Sequence, residues 1–232
     1  PSALTLVSDS DSGRSSVDGV TNQKSGLTFK LNAEAGASVE LFEGSTPLAF
    51  TVVDGNLLRL DVDLEEGEHV LYARVTDVAG NVSVDGVLSP ITVDVTPPAQ
   101  PSAINLAAAD DLGISDSDNL TKQSAGLTLS GSAEADASVE VYDDLNGDGV
   151  LQTSERLGTA LASNGTWSFD VSLTATTHRI QVVAKDAAGN ASEEAASSEA
   201  AYDTRLRTVL FDFEDAAELV EVFGGTDGVL ST

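Results

Sequence analysis

Through the first two hundred positions, apolar and polar residues alternate in short runs broken by small, turn-forming residues. Leu27–Leu31 (LTFKL), Ala37–Phe42 (ASVELF), Leu58–Leu64 (LRLDVDL) and His69–Thr76 (HVLYARVT) each show a period near two. Successive strand residues point to opposite faces, so this pattern predicts strands with one face in a core and the other in water. The pieces AEAG, VDGN and EEGE between them carry the residues that turns require. Val139–Tyr142, Trp167–Val171 and Arg179–Ala184 repeat the scheme further along, and no run has helical periodicity. The expected class is all-β.

The alternation is itself repeated. Residues 1–43 align with 101–143 without a gap, and almost half of the positions are identical. Thr76–Ser83 (TDVAGNVS) aligns with Lys185–Ser192 (KDAAGNAS) at an offset of 109, so the second copy holds a net insertion of nine residues. A period near one hundred indicates two globular units, since solenoid repeats are shorter. Each unit reads as an immunoglobulin-like β-sandwich without the antibody Cys…Trp…Cys signature. The expected domains are 1–98 and 99–204, joined by the linker Thr96–Pro101 (TPPAQP), whose prolines favour a semi-rigid extended spacer. Beyond Thr204 the repeat stops, and 205–232 reads as the opening of a third β domain, because so few residues cannot bury a core of their own.

Charge narrows the partners. Thirty-eight acids against 11 bases give a formal net charge of -27. Such a surface repels nucleic acid and anionic membranes and attracts divalent cations. The chain has no cysteine, so disulfides and thiolate chemistry are excluded. No apolar run reaches the length of a membrane span, and direct membrane insertion is not expected.

The insertion carries the clearest candidate chemistry. Asp144–Glu155 (DLNGDGVLQTSE) fits the calcium-loop pattern D-x-[DN]-x-[DN]-G-x5-E at every defined position. Asp144, Asn146 and Asp148 alternate so that their oxygens can converge. Gly149 permits the sharp turn, the Val150 carbonyl adds a main-chain donor, and Glu155 can chelate through both oxygens. With a strand before it and no amphipathic helix after it, the loop reads as a clamp between two strands, not a helical sensor. A second expectation places calcium at domain junctions, where Asp94 in the linker meets the Asp111/Asp118 loop and clustered carboxylates would otherwise repel. Asp11 and Asp18 occupy the matching loop of the first copy and are expected to face a preceding domain. Glu34 and Glu134 recur in their turns, and Asp77 and Asp186 are expected to be turn formers tolerant of left-handed backbone. His69 and His178 occupy equivalent positions and read as a paired structural feature. Trp167 reads as a core anchor, and no constellation of catalytic residues is evident.

The D-x-A-G-N-x-S signature (Asp77–Ser83, Asp186–Ser192), the strand Asn164–Phe169 (NGTWSF) and the T-P-P linker together resemble the tandem bacterial immunoglobulin-like repeats of large RTX-type surface adhesins. The resemblance covers about residues 1–204. It implies a non-enzymatic extender, rigidified by calcium, that is exported by type I secretion to the cell surface. The partners implied are neighbouring repeats of the same chain, with a glycan or other surface ligand engaged through adjacent domains. Related repeats also serve as spacers in secreted carbohydrate-binding or carbohydrate-active proteins, which leaves an accessory role in such a protein as the alternative. The segment VLFDFEDAAELV…GGTDGVLST is similar to the opening of jelly-roll carbohydrate-binding modules.

Overall fold

The computed structural model describes residues 4–53, 57–83, 86–87, 90–112, 115–174, 176–193 and 201–203. The expected third domain lies outside them. The first repeat contains β1 (Thr5–Leu6), β2 (Val20–Thr21), β3 (Leu27–Asn32), β4 (Ser38–Glu43), β5 (Thr46–Val52), β6 (Leu57–Val62), β7 (Gly67–His69), β8 (Leu71–Thr76), β9 (Gly86–Val87) and β10 (Ile91–Val93). The second contains β11 (Ser102–Leu106), β12 (Leu127–Ser132), β13 (Ser138–Asp143), β14 (Arg156–Leu161), β15 (Thr166–Val171), β16 (Thr177–Lys185) and β17 (Ala201–Asp203).

In the first repeat the sheet β1-β3-β6 faces the sheet β5-β4-β8-β9, and a small sheet β2-β10-β7 includes the strand that runs on, after one residue, into β8. In the second, β11-β12-β15 faces β14-β13-β16-β17. The alternation read from the sequence is what fills the space between layers. Leu27, Phe29 and Leu31 of β3 are buried while Lys30 and Asn32 are exposed, and Val39 and Leu41 of β4 meet them from the other sheet. Each such side chain contributes roughly 1.5–3 kcal/mol by leaving water. The two apolar cores are separate: the buried members of one run from Leu4 to Val93, those of the other from Ile104 to Val182.

Two details differ from the sequence reading. The run His69–Thr76 is not one strand but two, because β7 pairs with β10 whereas β8 pairs with β4. The strand β5, which begins at Thr46, is not among the runs that the alternation predicts. Pro47 is tolerated there because β5 is an edge strand and Pro47 sits at the bulge between Leu41 and Phe42.

Trp167 is 2% exposed, in the core. It stands opposite Gly131 in the β12–β15 ladder, and a Cβ on Gly131 would lie 2.8 Å from the indole Nε1. In the first repeat the register-equivalent pair is Leu31 and Leu58.

Candidate functional site

The loop Asp144–Glu155 connects β13 to β14, in place of the two-residue turn Gly44–Ser45 of the first repeat. Its first residue is anchored on both sides. The Asp144 N–H donates to the Arg179 carbonyl at 2.9 Å, and its side chain is fully enclosed. Asp144 Oδ1 accepts the N–H of Gly147 at 2.7 Å and of Asp148 at 3.2 Å, and Oδ2 accepts that of Gly149 at 3.0 Å. Asn146 Oδ1 accepts the Asp148 N–H, and Asp148 Oδ1 accepts the Val150 N–H, each at 2.8 Å. These are local side-chain-to-backbone turns, which wind the chain around its own carboxylates. Gly147 and Gly149 have φ of 73° and 74°, a left-handed region that glycine enters without strain. A 3₁₀ turn at Thr153–Glu155 ends the loop, and Glu155 Oε2 is buried with no hydrogen-bond partner.

That orphaned oxygen is the test of fit for a cation. A buried carboxylate oxygen without a donor is costly, and one placed twelfth in a loop of alternating oxygens is where a hard divalent ion would use it. The donor set of Asp144, Asn146, Asp148, the Val150 carbonyl and Glu155 therefore fits calcium. Among the described residues, no three Asp, Glu or His side chains already converge on one point. The carboxylates of Asp144 and Asp148 face the loop's own N–H groups, and Asp148 Oδ2 also accepts from Gln152 Nε2 at 2.8 Å.

The junction residues are arranged differently from expectation. Asp11 and Asp18 do not face a preceding domain; their loop lies against the second repeat. Ser12 Oγ donates to the Ala188 carbonyl at 3.0 Å, the Arg14 N–H to the Ala187 carbonyl at 3.2 Å, and Arg14 Nη1 to the Asp136 carbonyl at 2.9 Å. Asp94 lies beside this loop, since its N–H donates to the Thr21 carbonyl at 2.8 Å. Its own carbonyl accepts Asn190 Nδ2 at 2.8 Å. Asp111 and Asp118, expected next to Asp94, form the matching loop of the second repeat, one strand length away from where that repeat begins. The reason is strand direction. The chain enters a repeat at one end, β1 or β11 carries it to the other, and the acidic loop follows that strand.

Within each acidic loop the geometry repeats. Asp11 Oδ2 accepts the Gly19 N–H at 3.2 Å and Asp111 Oδ2 accepts the Asn119 N–H at 2.9 Å. Asp18 Oδ1 and Asp118 Oδ1 accept the N–H groups two residues on, of Val20 and Leu120, each at 3.1 Å. The other oxygen of both Asp11 and Asp111 is buried and unpartnered. Burial pushes both carboxyls above their usual value; the Gly19 and Asn119 N–H groups oppose this, and Asp18 and Asp118 reinforce it. Asp94 Oδ1 accepts the Thr96 N–H at 3.0 Å.

The two histidines hold equivalent places with equivalent partners. His178 lies between Asp143 Oδ2 at 2.6 Å and the Thr174 carbonyl at 2.7 Å. His69 lies between Glu43 Oε1 at 2.7 Å and the Glu65 carbonyl at 2.8 Å. The acid partners were missed in the sequence, although Glu43 and Asp143 align at the end of matching strands. Asp77 and Asp186 do form turns, by accepting the backbone N–H of Asn81 at 2.8 Å and of Asn190 at 2.9 Å. The positive φ in those turns belongs to Gly80 and Gly189, not to the Asp or Asn.

Two immunoglobulin-like sandwiches in series, docked end to end and edged with acidic loops, define a tandem-repeat protein. Residues 1–95 and 98–204 each match the bacterial Ig-like domain family, and the chain belongs to it. Among solved structures, the chain is similar to the fibronectin(III)-like modules of Clostridium thermocellum CbhA, at 15% identity and a TM-score of 0.48, covering 82% of this chain and 90% of that one. It is also similar to the human OSCAR ligand-binding domain, at 14% identity and a TM-score of 0.39, covering 84% and 95%. A third likeness is to the BSP domain of a biofilm-associated protein, at 15% identity and a TM-score of 0.29, covering 77% of this chain and 27% of that one. Comparison with curated proteins gives no significant match.

Proposed function

We propose that residues 1–204 form a calcium-stiffened spacer of a bacterial cell-surface adhesin, which holds ligand-binding domains away from the cell. The observation that carries this reading is the end-to-end joint, in which backbone and side-chain groups of one bacterial Ig-like repeat dock directly on the next across a proline-rich linker. A spacer transmits position and force, and its chemistry is that of stiffness; the reading assigns no catalysis. Export by type I secretion and an extracellular location follow from the same reading.

Asp144, Asn146, Asp148, the Val150 carbonyl and Glu155 would hold one calcium ion, and Asp11, Asp18 and Asp94 at the joint, with Asp111 and Asp118 at the far end, offer further carboxylates. When bound, calcium supplies positive charge that offsets carboxylate repulsion. The chain's own part is to close the β13–β14 loop and to keep the carboxylates oriented through backbone N–H groups.

Calorimetric titration of the chain with calcium, paired with small-angle scattering and thermal melting in calcium and in chelator, tests the reading. Saturable binding, a higher melting temperature and a longer, narrower envelope in calcium are expected. Identical melting and scattering in both conditions would overturn it.

A further inference from the structure

The joint between the two repeats is built on a turn that the first repeat also carries. In the second repeat, the turn Asp186–Asn190 receives the first repeat's Ser12–Arg14 loop, chiefly through backbone. Gly13 packs so tightly that a Cβ on it would overlap the Ala187 carbonyl. A Cβ on Gly189 would in turn lie 2.8 Å from the Gly13 Cα. Ala188 is fully buried as a result. Asn190 uses its side-chain amide twice, on Asp186 Oδ2 within the turn at 2.8 Å and on the Asp94 carbonyl across the joint at 2.8 Å.

The turn Asp77–Asn81 has the same internal construction. Asp77 Oδ1 accepts the Asn81 N–H at 2.8 Å, Asp77 Oδ2 accepts Asn81 Nδ2 at 2.7 Å, and Gly80 has φ of 88° against 92° for Gly189. Ser83 and Ser192 tie the two turns back to β8 and β16 through the N–H groups of Val75 and Ala184. What differs is cover. Val78, at the position of Ala187, is 77% exposed, and Ala79, Gly80 and Asn81 are exposed as well. Among the described residues no atom comes within 4 Å of where a Cβ on Gly80 would project. The same receptor is thus covered in one repeat and open in the other.

We propose that Asp77–Asn81 is a docking surface for a further repeat of this kind lying N-terminal to the first. That repeat must present a loop like Ser12–Arg14. It needs a glycine, because a Cβ cannot approach the turn; an N–H for the Val78 carbonyl; and a strand-end carbonyl for the Asn81 amide. The proposal deepens the spacer reading and rests on it for the serial arrangement of repeats, but not for calcium. Its consequence is that the joint is read from short turns, so that any repeat with the glycine loop fits any repeat with the D-x-A-G-N turn.

The test extends the full chain by a second copy of residues 1–100 placed before Pro1. The chain has no cysteine, so single cysteines can be spin-labelled without background. One pair, at Ser45 and Ala135, reads the existing joint; a second, at Ser45 of the added repeat and Ala35, reads the new one. Matching narrow distance distributions at both joints are expected, with loss of the narrow peak at the new joint when Gly13→Ala is placed in the added repeat, since a Cβ there would overlap the carbonyl of the receiving turn. A broad distribution at the new joint beside a narrow one at the old would overturn the docking proposal while leaving the spacer reading intact. Narrow distributions at both joints in chelator would support docking and count against calcium as the stiffener.

Discussion

The hairpins β4–β5 and β13–β14 are the same structure with different ends. Ser38 pairs with Val52 and Ser138 with Leu161, and both ladders shift register one step before the strand ends, at Leu41/Phe42 and Val141/Tyr142. Directly before the tip of each hairpin an acid meets a histidine, Glu43 with His69 and Asp143 with His178. Yet one hairpin closes through Gly44–Ser45 and the other through Asp144–Glu155. Lengthening a flexible loop from two residues to twelve costs about 1.6 kcal/mol of closure entropy. The hydrogen bonds accepted by Asp144, Asn146 and Asp148 offset part of that cost. Register and the acid–histidine clamp therefore fix the hairpin, and the tip is free to acquire chemistry.

The largest effect should come from the core of the second repeat, where Trp167 is buried against Gly131. Trp167→Ala should destabilise the second repeat by about 3–5 kcal/mol, seen in calorimetry as a fall in one of two transitions while the other stays in place. Gly131→Leu should also destabilise that repeat, because the new side chain would enter the space of the indole. Equal shifts in both transitions would mean that the repeats unfold as one unit, and the separation of their cores would have no thermodynamic meaning.

An intermediate effect is expected from exchanging the tips. Replacing Asp144–Glu155 by Gly-Ser should leave the second repeat as stable or slightly more stable in chelator, since a closure cost is removed. In calcium at a hundredfold excess over Kd, the native loop should gain about 2.7 kcal/mol that the exchanged one lacks. Glu155→Gln should lose most of that gain, and in chelator should leave the repeat no less stable, since it removes a buried carboxylate oxygen that has no donor. A native loop whose melting temperature ignores calcium would assign the tip a purely structural role.

The strongest strands and the loop were legible because their information is local. Leu27, Phe29 and Leu31 alternate over five residues, and the loop shows itself as a gap between two aligned copies. β5 is missing from that pattern altogether, because its residues do not alternate cleanly between buried and exposed and Pro47 is admissible only at a sheet edge. β1, β2 and β10 are two or three residues long and carry too little pattern to stand out. The joint was misplaced for a different reason. Proximity in sequence puts Asp94 beside Asp111, but strand direction decides which end a loop occupies, and it puts Asp94 beside the loop of Asp11. The acid partners of the histidines were visible as an aligned pair, Glu43 and Asp143, but nothing local linked them to residues 26 and 35 positions away.

The smallest effect concerns one glutamate that the repeats share and treat differently. Glu140 Oε2 accepts from Tyr142 Oη at 3.0 Å and from Lys185 Nζ at 3.1 Å, and Arg156 lies 3.2 Å from Oε1. Its counterpart Glu40 has Phe42 and Thr76 at the matching positions, and stands opposite Phe50 and Arg74 in the ladder. Burial alone would push the Glu140 carboxyl up, but the bonds from Lys185 and Tyr142, with the charges of Lys185 and Arg156, outweigh it and hold the group below its usual value. A carboxylate whose folded value is depressed contributes stability above its unfolded value and loses it as pH falls through the folded one. Glu140→Gln should therefore lower the stability of the second repeat by about 1 kcal/mol at neutral pH, after allowance for partial exposure of the cations. The difference should hold down to about pH 4.3, where unfolded glutamate titrates, and shrink below it. Glu40→Gln, lacking the lysine and the phenol, should change the first repeat by less. Melting of the two variants from pH 7 to pH 3 reads both slopes, and a Glu140→Gln deficit that persisted unchanged at pH 3 would show that packing, not charge, distinguishes the two positions.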